Sequence, residues 1–272
     1  MNLKNNEKKV LELYNQGFGT TFIAKKFKVS YSSVLKFLKR RHIKIRTKQE
    51  ASTLSCNRRK RNFFNKNFFL KDSWQLAYLA GFCLADGNLQ LSKSKKAATL
   101  TISINQKDIE ILQKFCEWAG LSTNAILNSK NNKKTLKFSD PILSYCLARY
   151  GIVPNKTYYP ANNLDIPKQF IKPFLIGFID GDGTLRYNRV GYRFGIVGNK
   201  HTINQILELI KYIGFNKEIK IEQDPIDKVW KRACTYYKKD ICELINILEP
   251  HRYFYLKRKW QNYLDFLSAA SI

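Results

Sequence analysis

The feature that most constrains this chain is an internal repeat. Residues 74–88 (WQLAYLAGFCLADGN) match residues 170–185 (FIKPFLIGFIDGDGTL), with Asp86 opposite Asp182 and Gly87 opposite Gly183 at an offset of 96. Further on, Glu117-Trp118-Ala119-Gly120-Leu121 matches Lys211-Tyr212-Ile213-Gly214-Phe215 at an offset of 94. Between these landmarks lie the alternating runs 99–105 (TLTISIN) and 192–198 (YRFGIVG), each followed by a helical pattern, 109–119 and 203–213. Each unit reads helix, hairpin, helix, hairpin, helix. A duplicated α+β unit of this kind predicts two copies related by a pseudo-twofold axis.

The repeated motif has a physical logic of its own. Ala80, Gly81 and Gly177 fall mid-helix, where a glycine costs about 1 kcal/mol against alanine. Close approach of two helix backbones offsets that cost. Gly87 and Gly183 are placed to end their helices, and the pattern predicts left-handed caps there. If the two helices pack in parallel, Asp86 and Asp182 lie side by side at two negative helix ends. Like charges at that position are unfavourable unless a hard divalent cation joins them. With few carboxylates and room for water and phosphate oxygens, Mg²⁺ fits best.

The partner follows from charge. The 272 residues carry 48 Lys and Arg against 21 Asp and Glu, a net +27, with 44% hydrophobic residues. A packed globule with that surplus calls for a polyanion, nucleic acid ahead of a membrane surface. The N-terminal decapeptide MNLKNNEKKV has no apolar core of a signal peptide, and no uncharged run approaches the ~18 residues of a membrane helix. Six cysteines without ligand spacing and three scattered histidines argue against zinc and for reduced thiols. The expectation is an intracellular protein, cytoplasmic or organellar, with no small-molecule cofactor.

Residues 1–71 hold nineteen Lys and Arg and three acids, a net +16, leaving +11 for the rest. Within 1–46, Val10, Leu11, Leu13 and Tyr14 form one apolar stripe, stopped by Asn15-Gln16-Gly17. Thr20 or Thr21 caps a second helix carrying Phe22, Ile23, Ala24 and Phe27. Ser30 caps a third, which buries Val34, Leu35 and Leu38 and leaves Tyr31, Ser32, Ser33 and Lys36 outside. This is a helix-turn-helix pattern, and those four exposed residues are candidates for base edges; small protein-binding three-helix units share the pattern. Residues 47–71 read as an aperiodic basic linker. Its cluster Arg58, Arg59, Lys60 and Arg61 is either a solvated tether or a phosphate contact, and its phenylalanines anchor on the following domain.

The stretches "LAGFCLADG" (79–87) and "LIGFIDGDG" (175–183) resemble the two motifs of the LAGLIDADG homing endonucleases in their single-chain form, over residues 72–272. The run "IAKKFKVSYSSVLKFLKRR" likewise resembles resolvase-type helix-turn-helix modules. The resemblance implies αββαββα repeats at 72–160 and 161–272, whose four-stranded sheets form a saddle over DNA. It implies a monomer that cuts both strands across the minor groove in an Mg²⁺-dependent reaction, leaving short 3′ overhangs. Carried over by motif, Asp86 and Asp182 are metal ligands, and Gln106 and Asn199 match the polar residues that organise solvent. Lys156 and Lys259, rather than Lys257, match the basic residues near the metals. The family's second acid, two positions earlier, is present as Asp180 but replaced by Leu84.

Alternation along the strands nominates Lys93, Lys95, Thr99 and Thr101 in the first repeat as DNA contacts. Arg186, Arg189 and Arg193 are their counterparts in the second, with Lys130, Lys133, Lys134, Lys231 and Arg232 in the later hairpins. These strands differ strongly between repeats, which implies a long, asymmetric target. The same scaffold also occurs in non-cleaving transcription regulators and RNA-splicing maturases. Retention of both acids favours a nuclease over a regulator but does not separate nuclease from maturase.

Overall fold

A computed structural model describes residues 3, 6–51, 54, 64–94, 97–188, 191–223 and 230–261; at 185–188, 191–192 and 230 it describes the backbone alone. Arg58, Arg59, Lys60, Arg61, Lys95 and Arg189 lie outside the described residues, as does the side chain of Arg186. The chain divides into two compact units, Met1–Phe63 and Phe64–Ile272.

The first unit contains α1 (Glu7–Asn15), α2 (Thr20–Phe27) and α3 (Tyr31–Arg40). Val10, Leu13, Tyr14, Ile23, Ala24, Phe27, Val34, Phe37 and Leu38 form its core. A left-handed Lys28 (φ 52°) closes α2. Ser30 opens α3 by accepting a hydrogen bond from the Ser33 amide at 3.1 Å. Two expectations need correction. Gly19, not a threonine, caps α2, because Thr20 is already helical. Phe37 takes the buried position while Leu35 is half-buried; Val34 and Leu38 stay inside, so the apolar stripe is rotated by only a fraction of a turn. Phe22 is exposed and stacks on Phe18 at 4.6 Å.

The second unit begins with a short helix, α4 (Lys66–Leu70), inside the stretch read as aperiodic. Asn65 caps it, Phe69 is buried, and Phe64 lies edge-on to Phe138 at 5.5 Å. Two successions of the same order follow. The first is α5 (Trp74–Asp86), β1 (Gly87–Leu91), β2 (Ala98–Asn105), α6 (Ile109–Ala119), β3 (Ile126–Asn128), β4 (Lys133–Asp140) and α7 (Ile142–Ala148). The second is α8 (Ile171–Asp182), β5 (Gly183–Asn188), β6 (Gly191–Asn199), α9 (Lys200–Tyr212), β7 (Lys220–Gln223), β8 (Trp230–Thr235) and α10 (Lys238–Leu248). Each forms a four-stranded antiparallel sheet, ordered β1-β2-β4-β3 and β5-β6-β8-β7. The architecture is the expected α+β duplication.

Helices α5 and α8 cross in parallel at their glycines. A Cβ on Gly81 would lie 1.9 Å from the Phe174 carbonyl oxygen, and one on Gly177 would lie 2.1 Å from that of Tyr78. Nothing larger than hydrogen fits at either position. The caps differ from expectation: Gly87 (φ −81°, ψ 150°) and Gly183 (φ −79°, ψ 148°) are extended, and each helix passes directly into a strand. Glycine is required there by space rather than handedness. A Cβ would meet the carbonyl oxygens of Cys83 at 2.6 Å and Ile179 at 2.4 Å.

Each sheet packs its apolar face on the helices. Leu89, Leu100, Ile102, Leu136 and Phe138 line that face in the first repeat, and Phe194, Ile196 and Ala233 do so in the second. Cys83, Cys116, Cys146 and Cys234 are buried free thiols, and Cys242 is half-buried. Among the described residues no helix is long and apolar enough to cross a membrane.

Candidate active site

Asp86 and Asp182 are the last residues of α5 and α8, so the glycine crossing sets their approach. The Asp86 carboxylate lies 3.6 Å from the position a Cβ would occupy on Gly181. Burial pushes Asp182 up to about 7, and the negative charge of Asp86 adds to the shift. Asp86 opens to solvent on its outer side, but crowding by protein raises its pKa as well. Lys259, Lys156 and Lys133 oppose that rise. Among the described residues no cluster of three or more His, Cys, Asp or Glu gathers anywhere, so the pair stands without a third acid.

Two lysines close the site. Lys156 Nζ donates to the Ala85 carbonyl at 3.2 Å, and Asn199 Nδ2 donates to the Lys156 carbonyl at 3.2 Å. Lys259 Nζ lies within hydrogen-bonding distance of four carbonyls at the end of α8: Ile179 (3.2 Å), Asp180 (2.7 Å), Gly181 (2.8 Å) and Gly183 (2.9 Å). The Ile179 carbonyl also accepts from the Gly183 amide; a cation there adds a donor for the carbonyls at the helix end and opposes the negative end of the dipole. Desolvation lowers the pKa of both lysines, and the two carboxylates raise it again. Lys257 is exposed.

The acid two positions before Asp182 has a different task. Asp180 is 2% exposed and accepts from Tyr78 Oη (2.6 Å), the Leu256 amide (2.7 Å) and Trp260 Nε1 (2.7 Å). It fastens the C-terminal stretch, which also carries Lys259, onto the helix pair. Arg258 forks onto the buried Asp108 with two bonds of 2.8 Å, tying the same stretch to the first repeat. In the first repeat Leu84 is buried instead and faces Gly151, whose Cβ would stand 3.2 Å from Leu84 Cδ1. The Asp/Leu difference between the motifs thus concerns how each helix is backed, not the paired acids. Asp180→Leu, which copies the first repeat, should strand three buried donors. The expected loss is about 3 kcal/mol in chemical denaturation, against a smaller loss for Asp180→Asn, which keeps an acceptor.

Gln106 is exposed in a single turn of 3₁₀ helix. Its pairing with Asn199 needs correction. The registers Gly87↔Ile102 and Gly183↔Ile196 equate Asn199 with Asn105. Both asparagines cap the following helix, through Oδ1 to the Lys107 amide (3.0 Å) and the Thr202 amide (2.9 Å). The downstream offset of 94, applied to Asn199, points to Asn105 from sequence alone. Lys133, read as a distant hairpin contact, pairs with Asn105 and contributes to the field at Asp86.

The sheet faces away from the helices carry Asn88, Gln90, Thr99, Thr101, Ser103 and Lys137 in the first repeat. In the second, Arg193 and Arg232 share that face through the pairs Gly195↔Cys234 and Val197↔Arg232. Lys231 pairs with Gly198 and so falls on the helix-side face with Ala233, where it bonds Gln223. Lys134 falls on the equivalent face opposite Ile104, 2.5 Å from Asn128 Oδ1. Lys93 and Lys130 are exposed in turns. Tyr31, Ser32, Ser33 and Lys36 are exposed on α3.

This duplicated fold, with two acids at a glycine-crossed helix pair, is that of the LAGLIDADG meganucleases. Solved structures with it include a point mutant of I-SmaMI (TM-score 0.52, 18% identity, 72% of this chain and 90% of that one). The LAGLIDADG meganuclease I-CpaMI bound to uncleaved DNA gives TM-score 0.51 at 17% identity, over 74% of this chain and 92% of that one. I-SmaMI bound to an uncleaved DNA target in the presence of calcium ions gives 0.50 at 18%, over 74% and 92%. No family model matches the chain. A DNA polymerase of Acanthamoeba polyphaga mimivirus is 25% identical over 170 residues, 59% of this chain. The chain spans 10% of the length of that relative.

Proposed function

We propose that this chain is a site-specific double-strand DNA endonuclease acting as a monomer at a long asymmetric site. The observation that carries the reading is the pairing of Asp86 and Asp182 at two helix C-termini, with Lys156 and Lys259 beside them. The solved relatives bound to DNA and, in one case, prepared with calcium support duplex DNA as substrate and a divalent cation as cofactor. The polymerase match covers too little of that protein to bring polymerase activity with it.

The residues present fit Mg²⁺. Asp86 and Asp182 offer hard carboxylate oxygens; burial raises the pKa of both, and for Asp182 the negative charge of Asp86 adds to the rise, a penalty that a bound cation would relieve. The nearby Cys83 thiol is buried and raised further into its neutral form, so it adds no soft ligand. Bound there, the metal would polarise the scissile phosphate and acidify a water. Around it Lys156 and Lys259 hold positive charge toward the charge developing on phosphorus. Asn199 and Gln106 are candidates to orient the attacking water.

The outward sheet faces supply the DNA contacts, with Arg193 and Arg232 in the second repeat and Lys93 at a hairpin tip of the first. We assign residues 1–46 as a helix-turn-helix reader, through Tyr31, Ser32, Ser33 and Lys36. The basic stretch 47–71, with Arg58, Arg59, Lys60 and Arg61, serves as its tether. Deleting residues 1–63 should shorten the nuclease-protection footprint and weaken binding most at low salt, where counterion release counts for most. An unchanged footprint would show that the first unit reads no DNA. Incubating the chain with its selected target and Mg²⁺, with and without chelator, tests the activity itself. An uncut target in both would overturn the proposal.

A further inference from the structure

Among the described residues on the outward face of the second sheet, one acid stands among arginines. Glu222 pairs across strands with Arg232, which pairs in turn with Val197 on the strand carrying Arg193. Tyr236 Oη donates to Glu222 Oε1 at 2.8 Å. Arg193 Nη2 lies 3.9 Å from Glu222 Oε2, an ion pair too long for a hydrogen bond. The Arg193 fork is itself held, donating to Cys234 Sγ at 3.2 Å and lying 5.6 Å from the centre of the Tyr236 ring. The Glu222 side chain is 41% exposed, so its carboxylate, held by Tyr236 on one oxygen and beside Arg193 on the other, still meets solvent. The corresponding face of the first repeat is different: among its described strand residues it carries amides, hydroxyls and lysines but no acid.

On a chain of net +27 built to meet phosphates, an acid on this face is repelled by the backbone of any bound duplex. The flanking arginines offset part of that repulsion, and a donor on the DNA facing the carboxylate offsets more of it. In the major groove the donors are the N6 amine of adenine and the N4 amine of cytosine. Adenine sets the N7 acceptor beside its amine, which repels a carboxylate, whereas cytosine presents the donor alone. The guanine paired with that cytosine shows two acceptors, N7 and O6, which an arginine fork matches.

We infer that Glu222 is a specificity-determining residue that accepts a hydrogen bond from cytosine N4 of a C·G pair in the second half-site, with Arg193 and Arg232 flanking it. The inference rests on the proposed DNA-reading role of the sheets and names part of the target. Tyr236 acts through Glu222, as a positioning residue.

Selection from a random-sequence duplex library without divalent cation tests it, using the full chain and Glu222→Gln. The wild-type chain is expected to enrich cytosine about tenfold at one position of the second half-site. Glutamine offers a donor and an acceptor that suit adenine, so Glu222→Gln should lose the cytosine and enrich adenine at that same position, with the rest of the site unchanged. Identical motifs from both proteins would overturn the inference while leaving DNA reading intact. So would a uniform affinity change at every position, which is the mark of a charge that merely balances the arginines. Enrichment of no sequence by either protein would overturn the DNA-reading role itself. Should Glu222→Gln melt below wild type, Tyr236→Phe is the second variant. It frees Oε1 without removing the acid and should lower the cytosine preference several-fold at that position alone; an unchanged preference would count against the inference.

Discussion

Asp86→Asn and Asp182→Asn should each lower double-strand cleavage by about three orders of magnitude or more while leaving target affinity within a few-fold of wild type. The asymmetry between the two readouts follows from the work each acid does. A carboxylate at a negative helix end contributes nothing to attraction for DNA and opposes it by charge, so its loss does not weaken binding. Its loss does remove the anionic oxygens that would hold the catalytic cation. Cleavage of a labelled duplex by either variant at near wild-type rate would remove the paired acids from the mechanism.

The same variants carry a pH signature. Asp182 is pushed up to about 7 in the folded chain, whereas an unfolded aspartate ionises near 3.9. An acid with a raised folded pKa binds its proton more tightly when folded. Below about pH 4 it is protonated in both states and contributes nothing. Stability then falls as pH rises from about 4 to about 7, and above that the penalty is constant. Asp182→Asn should therefore match wild type near pH 4 and exceed it at pH 8 by roughly 2 kcal/mol, once contact with solvent is allowed for. Mg²⁺ should narrow that gap by stabilising wild type alone. Parallel stability–pH curves for the two proteins would show that Asp182 carries no such strain.

Much of this site was legible in the chain because duplication repeats its reasons. Two glycines at matched positions predicted a close helix pair, and two acids at matched ends predicted the charge cluster. What the repeat did not disclose were the places where the copies differ. Asp180 stands two positions before a paired acid, but its carboxylate turns inward to three donors, and two of them belong to the C-terminal stretch, some 76 and 80 residues away. No local pattern carries that information. The left-handed caps failed for a related reason. A glycine past a helix end reads as a φ requirement, whereas Gly87 and Gly183 are needed for clearance over a preceding carbonyl in an extended chain. Asn105 was hidden by Gln106 beside it, although the strand register separates them cleanly.

Gly81→Ala and Gly177→Ala should be the most destabilising glycine-to-alanine changes among the described residues. The nearest atom to the new carbon is a backbone oxygen at 1.9 Å or 2.1 Å, not the flexible end of a side chain. Relief requires the helices to separate by more than an ångström along a seam where Tyr78, Phe82, Phe174 and Phe178 are all buried. An interior packed like a crystal does not yield that distance cheaply, and a loss of about 3–5 kcal/mol is expected in chemical denaturation. The helix propensity gained by alanine, about 1 kcal/mol, is too small to compensate. The double variant should lose less than the sum of the two, because a seam opened at Gly81 already makes room at Gly177. Cleavage should fail before folding does. Asp86 and Asp182 end the two helices that are forced apart, and a displacement near 1 Å at reacting groups costs about a hundredfold. A Gly81→Ala chain with wild-type stability and activity would mean that the two helices do not meet at these glycines, and that the paired acids are held by something else.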